Sequence, residues 1–183
     1  MTRAVFLDRD GVVNRDHAYV HRWEDFEFVP GALDAARRLA DAGFRLVIVT
    51  NQSGIARGYY TEAQYFALTE RMCAVFERQG APLAAVYHCP HHPAGSVVAF
   101  ARECDCRKPR PGMILRAAAE HLLSLPESIL VGDKLSDIEA ARAAGVGRAY
   151  LVRSGNEASM PDIGTADAAY ADLAQCVDAL LHT

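Results

Sequence analysis

Phe6-Leu7-Asp8-Arg9-Asp10-Gly11-Val12-Val13-Asn14 continues the apolar pair Ala4-Val5 and turns it abruptly into two acids and a glycine. A short unbroken apolar run reads as a buried strand, and the Asp-Gly step reads as its end. Asp8 and Asp10 then stand at a strand's carboxyl end, where open α/β sheets place their ligands. Taken alone, a D-x-D-G string fits a strand followed by an acidic turn equally well. An EF-hand calcium loop begun at Asp8 would need Gly at its sixth position and Glu at its twelfth. Val13 and Tyr19 occupy those places.

Outward from this stretch, the chain alternates between strand and helix patterns. Residues 15–29 carry Asp16, His17, Tyr19 and Trp23 without a clear period, and read as a loop with a short turn or ribbon. A loop of this length beside acids is either a plain surface loop or a segment that grips substrate. Pro30 and Gly31 open a helix that Gly43 closes. Arg45 to Thr50 is a second buried strand, ending in the polar turn Thr50-Asn51-Gln52-Ser53-Gly54. Thr61 caps a long helix, with Gln64 completing a capping box. Its stripe of Tyr65, Leu68, Met72, Val75 and Phe76 is core packing.

Ala84 to Tyr87 is a third strand. It leads through His88-Cys89-Pro90-His91-His92 and a long loop to Cys104-Asp105-Cys106-Arg107-Lys108-Pro109. A helix starts at Pro111. Ser128 to Val131 is a fourth strand, running into Gly132-Asp133-Lys134. A helix from about Ser136 to Ala144 ends at Gly145. Arg148 to Val152 is a fifth strand, and an amphipathic helix lies near Asp172 to Leu181 after a loop through Gly164.

Strand–helix alternation predicts an α/β fold, a doubly wound parallel sheet joined by right-handed crossovers. The carboxyl ends of such strands share one edge. Acids after the first strand, a hydroxyl after the second, a basic pair before the helix that follows the third and another acid after the fourth therefore meet in one crevice.

The length of 183 residues predicts one domain spanning residues 1–183, and 51% hydrophobic residues supply a core without disulfides. A net charge of −4 offers no basic excess for nucleic acid. Arg3 and Asp8 come too early for a signal peptide, and no apolar run is long enough to span a bilayer. A cytoplasmic enzyme is expected, without a membrane or nucleic-acid partner.

Asp8 and Asp133 supply hard oxygen ligands of the kind magnesium prefers. Asp8 is also a candidate nucleophile, since carboxylates form aspartyl-phosphate intermediates. Asp10 is placed to protonate a leaving alkoxide and then to take a proton from water. Thr50 offers a hydroxyl, the backbone amides that follow it, at Asn51, Gln52 and Ser53, are candidates to face phosphate oxygens, and Lys108 offers a point charge. This inventory suits phosphoryl transfer, where positioning and charge neutralisation dominate. Asp137 is either part of the site or an acid satisfying a helix N-terminus.

Five cysteines without an export signal point to thiols or metal rather than a disulfide framework. Cys89-x-His91, twelve intervening residues and Cys104-x-Cys106 make a Cys₃His set. Four such ligands suit tetrahedral, structural zinc in a loop of about residues 88–110. Free thiols, or His92 in place of His91, are the alternatives. Cys73 and Cys176 fall on apolar helix faces as packing residues. The loop runs straight into Arg107-Lys108, so zinc is expected to aim these cations at the phosphate.

The strings DRDG, TNQSG, the Lys108 segment and GDKLSD resemble the four motifs of the haloacid dehalogenase superfamily of phosphatases. The fuller strings CPHHP, CDCRKPRPGM and VGDKLSDIEAA are similar to its zinc-loop, histidinol-phosphatase-like group. The resemblance covers Ala4 to about Val152. It implies a Rossmann-like core without a large cap, with Asp8 as nucleophile and Asp10 as general acid/base. It also implies magnesium on Asp8, the Asp10 carbonyl and Asp133, and a phosphoryl group steadied by Thr50 and Lys108. Arg107, Lys134 and the segment Asp16-His17-Ala18-Tyr19 would face the substrate. The implied reaction removes the C7 phosphate of a heptose bisphosphate and leaves the C1 phosphate for surface-polysaccharide precursors; histidinol phosphate is the alternative substrate, and a non-catalytic zinc-stapled binding module is the alternative from another class. The partner is thus a small phosphosugar, and the chain is expected to act as a monomer.

Overall fold

Residues 1–155 and 162–182 are described by the computed structural model. The strands are β1 (Ala4–Leu7), β2 (Arg45–Asn51), β3 (Leu83–Cys89), β4 (Ile129–Gly132), β5 (Arg148–Val152) and β6 (Ala168–Tyr170). The helices are α1 (Ala32–Asp41), α2 (Glu62–Arg78), α3 (Gly112–His121), α4 (Leu135–Ala144) and α5 (Leu173–Leu181). The six strands form one sheet in the order β3-β2-β1-β4-β5-β6, parallel throughout.

Every residue of β1 has 0% exposure, which is why this strand reads as an unbroken apolar run. Its side chains alternate between the two faces. Val5 and Leu7 pack with Ala36 and Leu39 of α1, Met72 and Phe76 of α2 and Val177 of α5. Ala4 and Phe6 pack with Ile114 of α3 and Ile138 of α4. Burying Val5, Phe6 and Leu7 contributes about 1.5–3 kcal/mol each. Helices thus cover both faces, as the alternation requires.

The chain leaves β1 toward β2 and β3, then returns to β1's other side at β4. That reversal opens a crevice at the carboxyl ends of β1 and β4. Local chemistry sets the helix ends. Gln64 N donates to Thr61 Oγ1 at 3.2 Å while Thr61 N donates to Gln64 Oε1 at 2.9 Å, which is the expected capping box. Gly145 closes α4 with φ +82°.

β6 has no counterpart among the five expected strands. It is a three-residue, half-buried edge strand pairing with Tyr150, Leu151 and Val152. Residues 15–29 form the expected ribbon-like loop. Arg15 N donates to Glu27 O at 2.8 Å, Val29 N to Val13 O at 2.9 Å, and a short 3₁₀ turn spans Trp23–Asp25. Among the described residues no second domain interrupts the sheet, and no helix is long and apolar enough to cross a membrane.

Candidate active site and metal centre

Asp8 follows β1 directly, and its amide donates to Val131 O of β4 at 3.0 Å. The carboxylate is thereby fixed at the mouth of the crevice, where Lys108 reaches it from the segment before α3. Lys108 Nζ lies 2.8 Å from Asp8 Oδ1, 2.6 Å from Asp137 Oδ1 and 2.8 Å from Val49 O. All three ammonium donors are used, and Lys108 is only 4% exposed. Burial favours the neutral amine, but Asp137 and Asp8 outweigh it and raise the Lys108 pKa. Burial lifts Asp8 to about 6 despite Lys108.

Asp137 has both roles that its sequence position left open. Its Oδ2 accepts from Lys134 N at 3.0 Å, near the start of α4, and its Oδ1 anchors Lys108. Asp133 differs. It is 3% exposed, and neither carboxylate oxygen has a hydrogen-bond partner. Ligand atoms of Asp8, Asp133 and Asp137 lie within 4.8 Å of one another. Burial, with Asp8 and Asp137 nearby, pushes Asp133 up to about 9.

An orphaned buried carboxylate beside another is an incomplete arrangement that a divalent cation completes. Asp137 is already satisfied, so Asp8 and Asp133 are the carboxylates that fit magnesium. The main chain presses close around Asp133. A Cβ on Gly11 would come 2.3 Å from Asp133 Oδ2, and one on Gly155 would come 1.9 Å from it. Gly11 also has φ +91°. Ser154 Oγ donates to Gly11 O at 2.7 Å, joining the end of β5 to this turn.

Asp10 is held on both oxygens. Arg9 Nη2 and Asn14 Nδ2 donate to Oδ1 at 2.9 and 3.0 Å, and Gln52 Nε2 donates to Oδ2 at 3.0 Å. Burial opposes ionisation, but Arg9 and these hydrogen bonds outweigh it and lower the Asp10 pKa. Arg9 also donates to Val20 O at 2.7 Å and is 1% exposed. Sequence reasoning missed Arg9. Its signal was a cation between two acids where a buried strand ends.

A cleft of about 550 Å³ opens over this edge. Asp10, Asp16, Tyr19, Asn51, Gln52, Ser53, Arg107, Lys108 and Lys134 all line it, with Tyr60 and Ser136 as unanticipated members. Thr50 lies beneath, 1% exposed and 3.0 Å from Gln52 Nε2. His17 is the exception among the residues expected to bind substrate. It faces a neighbouring cavity with Glu24 and Asp25, 3.5 Å from Glu27 Oε2. Arg107 brings a buried Nη1 without a partner, a donor left for an anion.

The expected Cys₃His set converges beside this cleft. Cys106 Sγ lies 2.9 Å from Cys89 Sγ and 3.4 Å from Cys104 Sγ, and Cys89 Sγ lies 3.5 Å from Cys104 Sγ. His91 Nδ1 is 3.4 Å from Cys106 Sγ. These four residues can hold a metal ion. His92 is engaged elsewhere, through Ala94 N at 3.1 Å and Arg57 Nη2 at 3.2 Å, so His91 is the fourth member. Cys73 and Cys176 stand apart from this cluster.

A parallel sheet in this order, with acids, a hydroxyl and a lysine gathered on one edge, defines a phosphatase of the haloacid dehalogenase superfamily. A HAD-hydrolase-like family model matches residues 105–176. A relative in Escherichia coli (strain K12), D-glycero-beta-D-manno-heptose-1,7-bisphosphate 7-phosphatase, is 54% identical over 83% of this chain and 80% of its own length. The protein of that name in Yersinia pestis is 50% identical over 90% and 87%. The crystal structure of D,D-heptose 1,7-bisphosphate phosphatase from B. bronchiseptica, complexed with magnesium and phosphate, superposes with a TM-score of 0.86. It is 35% identical and covers 98% of each chain. The chain belongs to the family of D-glycero-D-manno-heptose-1,7-bisphosphate 7-phosphatases.

Proposed function

We propose that this chain is a magnesium-dependent phosphomonoesterase that removes the C7 phosphate of D-glycero-β-D-manno-heptose 1,7-bisphosphate. The product is heptose 1-phosphate for lipopolysaccharide and other surface-polysaccharide precursors. The observation that carries this reading is a buried carboxylate, Asp8, 2.8 Å from Lys108 Nζ and within metal-sharing distance of the unpaired Asp133. The names of the relatives point to the substrate, and those at 50% and 54% identity point to its β anomer, against an α-named relative at 43%.

Asp8 attacks phosphorus in line, forming an aspartyl-phosphate as the bond to the C7 oxygen breaks. Asp10 gives its proton to that oxygen, then takes one from the water that attacks phosphorus and frees Asp8. The resting site holds Asp10 ionised, and the negative charge of an arriving phosphate offsets Arg9 and favours the protonated form. The Thr50 hydroxyl and Lys108, whose donor to Asp8 turns to the phosphoryl group as Asp8 is consumed, hold the equatorial oxygens. Magnesium, held by Asp8, the Asp10 carbonyl and Asp133, supplies charge neutralisation when bound. Arg107 and Lys134 take the retained phosphate, while Asp16, Tyr19 and Ser53 face the sugar. Asn51 and Gln52 serve mainly by holding other groups, and His17 stands behind the segment that carries Asp16 and Tyr19.

Cys89, His91, Cys104 and Cys106 leave no open position on a tetrahedral ion, so zinc there is structural. All of these groups come from one domain of one chain, so a monomer suffices. A cytoplasmic location goes with a nucleotide-activated product.

The decisive assay compares kcat/KM for heptose bisphosphate and histidinol phosphate in magnesium. Preference for the bisphosphate supports the reading, and preference for histidinol phosphate overturns it. Asp8→Asn should abolish phosphate release without unfolding the chain; near-normal turnover in that variant excludes Asp8 as nucleophile.

A further inference from the structure

We propose that Gln52 is a positioning residue which, held by Tyr60, directs the Thr50 hydroxyl proton at the phosphoryl group and fixes one oxygen of Asp10. The inference rests on the phosphatase reading above and assigns a task to a side chain that faces the cleft with almost none of its surface.

Gln52 is 2% exposed, Thr50 1% and Tyr60 5%. The Gln52 main chain is tied down by its amide, which donates to Cys89 O at 2.8 Å, and by Ile55 N, which donates to Gln52 O at 3.2 Å. The side chain is equally committed. Nε2 donates to Asp10 Oδ2 and to Thr50 Oγ1, at 3.0 Å each, and Tyr60 OH donates to Oε1.

The chemistry of the partners sets the amide's orientation. In the resting site Asp10 is paired with the Arg9 guanidinium at 2.9 Å and is a carboxylate, an acceptor on both oxygens, and this sets the amide before phosphate arrives. The amide nitrogen must face it, because the reversed amide would set oxygen against oxygen. Two N–H groups then remain on the same side, one for Asp10 and one for Thr50. A hydroxyl that accepts from Gln52 keeps its own proton to donate. At the sheet edge, the acceptor waiting for that proton is a phosphoryl oxygen.

Tyr60 completes the arrangement. Its hydroxyl holds Oε1, and its ring stacks on His21 with centroids 4.8 Å apart and an interplanar angle of 6°. His21 adjoins Val20, whose carbonyl accepts from Arg9. The loop over the cleft therefore reaches Asp10 by two routes, through Arg9 to Oδ1 and through Tyr60 and Gln52 to Oδ2.

The test uses the full chain with magnesium and p-nitrophenyl phosphate, and the variants Gln52→Leu, Gln52→Glu, Tyr60→Phe, Thr50→Val and Thr50→Val/Gln52→Leu. Gln52→Leu and Gln52→Glu should lower kcat on the order of tenfold to a hundredfold with KM within about threefold. Glutamate fits the space but turns an acceptor toward Thr50, so it removes the proton from the phosphoryl group. Tyr60→Phe should lower kcat severalfold. In the Thr50→Val background, Gln52→Leu should cost clearly less than in the parent, because one of its two targets is gone.

Equal factors in both backgrounds overturn the Thr50 coupling, and a loss carried by KM alone overturns positioning in favour of substrate contact. Should Gln52→Leu not fold, wild-type kcat in both Gln52→Glu and Tyr60→Phe overturns the inference. An active parent that Asp8→Asn silences while Gln52→Glu runs at full rate ends this inference alone. A parent that releases no phosphate ends the phosphatase reading with it.

Discussion

Asn51 and Lys108, 57 positions apart, exchange two hydrogen bonds. Asn51 Nδ2 donates to Lys108 O, and Lys108 N donates to Asn51 Oδ1, each at 3.1 Å. The last residue of β2 thus grips the main chain of the lysine that meets Asp8. Asn51→Ala should leave the ammonium poorly placed and lower kcat about tenfold, with a stability loss of about 1–3 kcal/mol. Asn51→Asp keeps the acceptor and loses the donor, and should fall between. Steady-state rates and denaturation midpoints check both.

Lys108→Met should do more harm than its charge alone suggests. It leaves Asp8 and Asp137 buried side by side without a cation, 6% and 1% exposed. Breaking a buried ion pair from one side costs about 3–5 kcal/mol. The variant should be inactive and melt well below the parent, and magnesium should recover part of the stability. A melting temperature equal to that of the parent contradicts the network.

Metal-free protein should lose stability as pH rises. Burial and like charges raise folded Asp8 to about 6 and Asp133 to about 9, from 3.8. A carboxyl whose folded pKa is raised contributes its full stability below pH 3.8, and that contribution is lost as pH rises through the folded value. Between pH 6 and 9 the chelated protein should therefore melt progressively lower. Magnesium, which competes with protons for these oxygens, should stabilise it more at pH 9. Melting curves with chelator and with magnesium decide this. A chelated protein that grows more stable across that range contradicts it.

Zinc removal should act on substrate binding before it acts on chemistry. Elemental analysis should find one zinc per chain, lost in Cys104→Ser. With magnesium retained, zinc-free protein should show a raised KM for the bisphosphate, because the loop that delivers Arg107 loses its tie. A smaller change is expected for a generic monoester, which lacks the second phosphate. Unchanged kinetics in verified zinc-free protein contradict the aiming role.

The parts of this molecule that the sequence made legible are those governed by local rules. Periodicity marked five strands, and Thr61 with Gln64 marked a helix start. The rule that parallel strands end on one edge is enough to bring Asp8, Thr50, Lys108 and Asp133 together. β6 escaped because three half-buried residues at a sheet edge carry no readable period. Arg9 and Tyr60 escaped because their importance lies in contacts with Val20 and Gln52, which no spacing encodes. His17 was grouped with Asp16 and Tyr19 by adjacency, but an irregular loop does not determine which wall each side chain faces. Asp137 was ambiguous because a helix-start acid and a lysine anchor share the same position, and here one residue is both.

The two glycines around Asp133 bear on how tightly an ion can be gripped. Main chain from Gly11 and Gly155 leaves the carboxylate little room to move. Immobilising a freely rotating side chain at binding costs about 0.5–1.5 kcal/mol, and a ligand already confined avoids most of that cost. A cation taken up here would therefore meet a ligand already confined by the turns at Gly11 and Gly155. A methyl group added at either turn would push on Asp133 Oδ2 itself and displace the carboxylate without changing its charge.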